Sequence, residues 1–160
     1  MTSKSIWLAA IAVIAISGAA AAGPGEKGHG HGGPAFGEPG DPAKPARMVE
    51  ISMRETGDGK MIFNHNYVEV KKGEQIRFAL HNFGGTDHEF VLSTLQNNLA
   101  HAKEMEKNPE MEHDDPNAKR LAPSAKGEVV WKFTKAGTFD FSCLIPGHRE
   151  AGMFGTVVVK

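Results

Sequence analysis

The single cysteine of this 160-residue chain opens the segment Cys143-Leu144-Ile145-Pro146-Gly147-His148-Arg149-Glu150-Ala151-Gly152-Met153. That segment sets a thiol, an imidazole and a thioether at Cys-x4-His-x4-Met spacing. A second imidazole stands far upstream, in Thr86-Asp87-His88-Glu89-Phe90. A thiolate, two imidazoles in a trigonal plane and a weak axial thioether are the donor set of a type 1 copper centre. Such donors accept Cu(I) and Cu(II) in one geometry, so a one-electron change needs little rearrangement. Zinc is the rival metal, but it rarely takes a thioether and favours more thiolates or carboxylates. Taken singly, Cys143 reads as a buried thiol, Met153 as a core residue and His148 as a loop histidine. Their joint order around one strand–loop–strand unit points to copper. Asp87, next to His88, is placed to hydrogen-bond across to the loop around Cys143 and fix the ligand geometry.

The elements that position these residues begin after a leader. Lys4, the uncharged run Ile6 to Ile16 and the small residues Ala19 to Ala22 have the layout of a secretory signal peptide, with cleavage expected between Ala22 and Gly23. The run is short for a membrane span, which needs about 20 apolar residues. The expected location is therefore the periplasm, with no membrane span after cleavage. In an oxidising compartment a lone thiol is exposed to oxidation unless it is buried or bound to metal. Losing residues 1–22 leaves 138 of 160, the size of one domain, and removes only Lys4, so the formal charge moves from −1 to −2. No basic stripe remains that would suit nucleic acid.

Residues 23–46 are rich in Gly and Pro, with Phe36 the one large apolar side chain, and read as a flexible leader. His29 and His31 within it form either a weak copper-capturing arm or part of a solvated linker. From Arg47 the pattern turns to period 2, as in Val49, Ile51 and Met53 against Glu50, Ser52 and Arg54. Further strands are expected over Met61–Val70, around Ile76–Leu80, over His88–Leu92, around Val129–Phe133, over Thr138–Cys143 and over Phe154–Val159. About seven short strands joined by Gly turns give an all-β fold, a Greek-key sandwich of two sheets. The domain is expected over 47–160, with an insertion at about 94–123 whose first part, Thr94 to Asn108, is helical and ends at Pro109. The insertion's return stretch, Glu110 to Pro123, is polar with two more prolines and is expected to loop back. His101 and Met105 lie four apart on that helix, with Met111 and His113 beyond it. They read either as an accessory Cu(I) site or as packing and solvated residues.

The segments Gly73 to Leu92 and Gly137 to Lys160 resemble a cupredoxin, the family of plastocyanin, azurin and rusticyanin, and the ligand-loop spacing is similar to rusticyanin's. With its His-bearing leader and Met/His insertion, the mature chain resembles the CopI-type periplasmic cupredoxins of bacterial copper tolerance. The resemblance implies a cupredoxin sandwich holding one type 1 copper through His88, Cys143, His148 and Met153. Azurin-like proteins place Asn beside the first ligand, where Asp87 stands here.

Two functions compete. The protein handles copper for tolerance and homeostasis, binding excess ions and oxidising Cu(I). Alternatively, it is a soluble electron carrier cycling Cu(I)/Cu(II), with Leu144, Ile145, Pro146 and Phe154 as a docking patch around His148. The extra His and Met residues favour copper handling. The expected partners are copper ions and a periplasmic redox or copper-handling protein, and the expected state is a monomer. Oxidase chemistry is disfavoured, because Ser142 and Leu144 flank Cys143 where a His-Cys-His coupling would need histidines, and a dinuclear centre would need a second cysteine.

Overall fold

Alternating apolar and polar residues build two five-stranded sheets in the computed structural model, which describes residues 36–109, 111 and 115–160. The expected signal peptide, His29, His31 and His113 lie outside the described residues. In chain order the first elements are β1 (Gly37–Pro39), β2 (Arg47–Glu55), β3 (Met61–Phe63), β4 (Tyr67–Val70) and β5 (Gln75–Asn82). Then come β6 (His88–Ser93), α1 (Leu95–Lys107), β7 (Ala118–Leu121), β8 (Lys126–Phe133), β9 (Gly137–Ser142) and β10 (Phe154–Val159). One sheet has the order β1-β8-β5-β2-β3, the other β4-β10-β9-β6-β7. Neighbouring strands are antiparallel except β2 with β5 and β4 with β10. The all-β sandwich inferred from the sequence is thus the observed fold.

The core lies between the sheets. In β5 every second residue, Ile76, Phe78, Leu80 and Asn82, is buried, and in β10 Val157 and Val159 face the same interior. Phe78, Phe90 and Phe141 stack through its centre, with Phe90–Phe141 ring centroids 5.2 Å apart. Each buried aromatic removes a large apolar surface from water, which is the dominant favourable contribution here.

Three expectations need correction. The strand expected over Met61–Val70 is two strands in different sheets, broken at Asn64-His65-Asn66, a polar exposed stretch where the chain crosses the corner of the sandwich. The leader ends earlier than Ala46. Phe36 is fully buried, stacked on Trp131 with centroids 5.0 Å apart and lying 5.2 Å from Phe139, and β1 pairs with the edge of β8. A single large apolar residue anchors this segment once it has a partner surface to cover. Within the insertion, the return stretch contains a strand, β7, paired with β6.

Helix α1 begins at its N-cap Thr94, whose hydroxyl accepts from the Asn97 N–H at 3.2 Å. Its buried residues are Asn98, His101 and Met105, which share one face, while Leu95 and Leu99 are exposed. This face covers the outer side of β6, and all six residues of that strand are consequently buried.

Candidate metal centre

Strand β6 opens on His88, strand β9 ends just before Cys143, and Met153 immediately precedes β10, so the sandwich brings the sequence-distant donors to one end. The intervening loop is closed by its own backbone. The Cys143 N–H donates to the Met153 carbonyl at 3.0 Å, and the Met153 N–H donates to the His148 carbonyl at 3.1 Å. Gly147 and Gly152 adopt φ of 87° and 106°, conformations that a side chain would strain. Those two bends turn His148 and Met153 back toward Cys143.

One donor atom from each of His88, Cys143 and His148 lies within 4.8 Å of the others, the one such His/Cys/Asp/Glu group among the described residues. The two Nδ1 atoms are 3.2 Å apart, and Cys143 Sγ is 3.3 Å from His148 Nδ1. A trigonal ion with bonds of about 2.0–2.3 Å needs donors roughly 3.5–4 Å apart, so the cluster accepts one ion with shifts of a few tenths of an ångström. Met153 is fully buried in the same hydrophobic cluster as Cys143. The chemistry of the donors fits copper: one soft thiolate, two imidazoles and a thioether.

Burial sets the protonation of the metal-free site. It pushes the Cys143 thiol up to about 12, against the Glu89 N–H that donates to its sulfur at 3.3 Å. Burial also lowers both imidazoles, with Glu55 pulling His88 back upward and His88 pushing His148 further down. At neutral pH the histidines therefore present lone pairs and the thiol holds its proton, which a bound cation would displace.

The surroundings of His88 differ from the sequence expectation. Asp87 does not reach the Cys143 loop; its carboxylate accepts from Arg120 Nε at 3.1 Å. The contact to sulfur is instead made by the backbone of Glu89, the residue on the other side of His88. Strand geometry explains this, since pairing of β6 with β9 turns that N–H toward β9 while the side chain of Glu89 takes the outer face. Sequence reasoning also missed Glu55, whose Oε1 lies 3.2 Å from His88 Nε2. This contact is close but poorly aligned, leaving Nε2 without a well-directed hydrogen bond. Hydrogen bonds from Thr86 and Gly85 hold the Glu55 carboxyl down at about 2, so it is charged.

The other candidate ligands are placed differently. Met105 is fully buried against Val91, Ala118 and Leu144, and Met111 packs on the same cluster. His101 is buried one turn before Met105. Within the docking patch, Leu144 is buried and Ile145 packs on the core, whereas Phe154 is exposed beneath the Arg149 guanidinium, 5.0 Å from its ring centroid.

The sandwich and the Cys–His–His cluster at its end define a cupredoxin-type copper protein. The chain belongs to the copper binding proteins of the plastocyanin/azurin family, whose pattern matches residues 50–160, and copper is its cofactor. It is 51% identical over 125 residues to the copper-resistant cuproprotein CopI of Rubrivivax gelatinosus, covering 78% of this chain and 73% of that one. It is 34% identical over 157 residues to the protein of the same name from Pseudomonas aeruginosa, covering 80% and 84%. Among solved structures, auracyanin B superposes with a TM-score of 0.60 at 24% identity, over 78% of this chain and 96% of that one, a likeness of fold.

Proposed function

We propose that this protein is an exported copper-tolerance protein that binds copper in the periplasm through His88, Cys143, His148 and Met153. In this reading residues 1–22 are a signal peptide and the folded copper domain follows the leader. The observation that supports copper binding is the buried triangle of His88, Cys143 and His148, with its two Nδ1 atoms 3.2 Å apart. The tolerance role is supported by the 51% identity to a copper-resistant cuproprotein. Copper, when bound, supplies one-electron Cu(I)/Cu(II) exchange. The chain's part is to hold the donors in place before the ion arrives. The two imidazoles offer Nδ1, Cys143 gives up its proton to become the thiolate, and the stacked Phe90 and Phe141 keep water from the interior side. His29 and His31 add a weak capture arm in this reading, which copper stoichiometry with and without residues 28–33 would test.

A second reading, electron carriage, draws support from one feature. His148 is 9% exposed, and Phe154, 47% exposed, lies beyond the loop at the start of β10. The two readings part on a gene deletion. Copper sensitivity with normal respiration at low copper supports tolerance; a respiratory defect without copper sensitivity supports the carrier. At the protein, Cys143→Ala is expected to abolish the thiolate-to-Cu(II) absorption band, and a variant that kept the band would overturn the ligand assignment.

A further inference from the structure

We propose that Glu55 is a positioning residue for the copper site: its carboxylate, set beside the His88 ring, fixes the tautomer that leaves Nδ1 free for the metal, and its charge favours Cu(II). The proposal rests on His88 being a copper ligand.

Glu55 is the last residue of β2, and its carboxylate reaches across to the loop between β5 and β6. Oε2 accepts from the Gly85 N–H at 2.9 Å; Oε1 accepts from the Thr86 N–H at 3.1 Å and the Thr86 hydroxyl at 2.6 Å. The same Oε1 lies 3.2 Å from His88 Nε2. Asn82 grips the loop from the other side. Its Nδ2 donates to the carbonyls of Thr86 at 2.8 Å and Leu121 at 2.9 Å, and its Oδ1 accepts from the Gly84 N–H at 2.8 Å. The loop that delivers His88 is thus held by two side chains, and only Glu55 also meets the ring.

The backbone leaves room for this contact. A Cβ on Gly84 would lie 2.5 Å from Glu55 Oε2 and 2.7 Å from His88 Nε2. The other carboxylates flanking His88 are directed elsewhere: Asp87 pairs with Arg120, and the Glu89 side chain takes the outer face of β6. With Nδ1 aimed at Cys143 and His148, the anion beside Nε2 draws the imidazole proton to that nitrogen and leaves the Nδ1 lone pair free. A carboxylate partner also makes the imidazole a better donor. Its charge stabilises a dipositive ion more than a monopositive one.

The test compares Glu55→Gln, Glu55→Ala and Thr86→Val in the full mature chain. Cu(II) and Cu(I) affinities are measured by competition titration, and the His88 tautomer of the metal-free protein by imidazole 15N shifts. Glu55→Gln is expected to keep the thiolate–Cu(II) band and lose about tenfold in Cu(II) affinity relative to Cu(I), equivalent to a rise of about 59 mV in the one-electron potential. Metal-free wild type is expected to carry the His88 proton on Nε2, and Glu55→Ala to spread it over both nitrogens. Thr86→Val removes the hydroxyl bond to Glu55 but leaves the charge, so its affinity ratio is expected to match wild type. An unchanged ratio in Glu55→Gln together with a wild-type tautomer overturns the proposal. So does an equal shift in Thr86→Val, which would assign the effect to loop anchoring. Should Glu55→Ala not fold, Glu55→Gln decides alone. Failure of the ligand assignment itself would show separately, as a Cys143→Ala variant that keeps the band.

Discussion

The backbone N–H of Glu89 donates to the sulfur of Cys143 at 3.3 Å, tying the strand that opens on His88 to the residue that follows β9. One N–H bond does not offset the burial of the thiol, which stays protonated up to about 12 in the metal-free protein. The two histidines are pushed the other way and are neutral at pH 7. Binding a cation must therefore release a single proton, the one on Cys143. Calorimetry in buffers of different ionisation enthalpy is expected to show about one proton released per ion at pH 7, with affinity rising about tenfold per pH unit above it. A proton count near zero would mean the thiolate already exists in the empty site.

The side chain of Glu89 supplies a second prediction. It is 3% exposed, and burial raises its carboxyl to about 7, opposed by the Arg120 charge. An acid raised in the fold keeps a proton that the unfolded chain has already lost. Stability from this group is thus full below about pH 4.5, declines as pH rises through the interval, and is lost above about 7. Glu89→Gln removes the effect. In urea unfolding of the metal-free protein, the variant is expected to gain on wild type by about 3 kcal/mol between pH 5 and pH 8.

Those two relationships show what the sequence could and could not disclose. Cys143, His148 and Met153 could be grouped as candidate ligands because one loop carries them at fixed spacing, and the period-2 pattern located the strands that bracket it. His88 was legible as the histidine opening a strand after a Gly turn. Glu55 and the Glu89 amide were not, because their roles depend on which strands lie side by side. The parallel pairing of β2 with β5 brings Glu55 to the His88 loop, and no local pattern encodes that pairing. Phe36 was misread for a related reason: an isolated aromatic in a Gly/Pro-rich stretch has no periodicity, and only Trp131 and Phe139 reveal what it covers.

Phe36 therefore offers a direct check on where the domain starts. The ring is fully buried, and Gly37–Pro39 covers the edge of β8. Phe36→Ala is expected to cost about 3–5 kcal/mol in chemical unfolding. A chain beginning at Arg47 is expected to lose at least as much, since the edge of β8 is also uncovered. Wild-type stability in the shortened chain would return the boundary to residue 47.

Asp140 links the inserted helix to the ligand loop. Its Oδ1 accepts from Asn98 of α1 at 2.8 Å, from the Ser142 hydroxyl at 2.7 Å and from Arg149 Nη1 at 2.9 Å. Both partners of the ion pair are largely buried, at 13% and 8% side-chain exposure for Arg149 and Asp140. Removing one partner of such a pair leaves the other charge unmatched, which costs about 3–5 kcal/mol. Asp140→Ala is expected to destabilise by that amount and to speed hydrogen exchange at Ala151 and Met153, whose N–H groups close the loop. Exchange unchanged at those amides would show that the loop is held without this tether.

The glycine pair before His88 separates the geometry of the Glu55 contact from the flexibility of the loop. At Gly84 an added methyl would press on both Glu55 and His88, at 2.5 and 2.7 Å, whereas at Gly85 it would meet nothing within 4 Å. Both substitutions keep the backbone N–H groups that Asn82 and Glu55 bind. Both restrict the unfolded chain similarly, so entropy does not distinguish them. Gly84→Ala is expected to weaken Cu(II) binding about tenfold or more by moving the carboxylate off the ring. Gly85→Ala is expected to bind as wild type does. Competition titration reads both, and equal loss in the two variants would show that loop freedom, rather than the space between Glu55 and His88, is what the site requires.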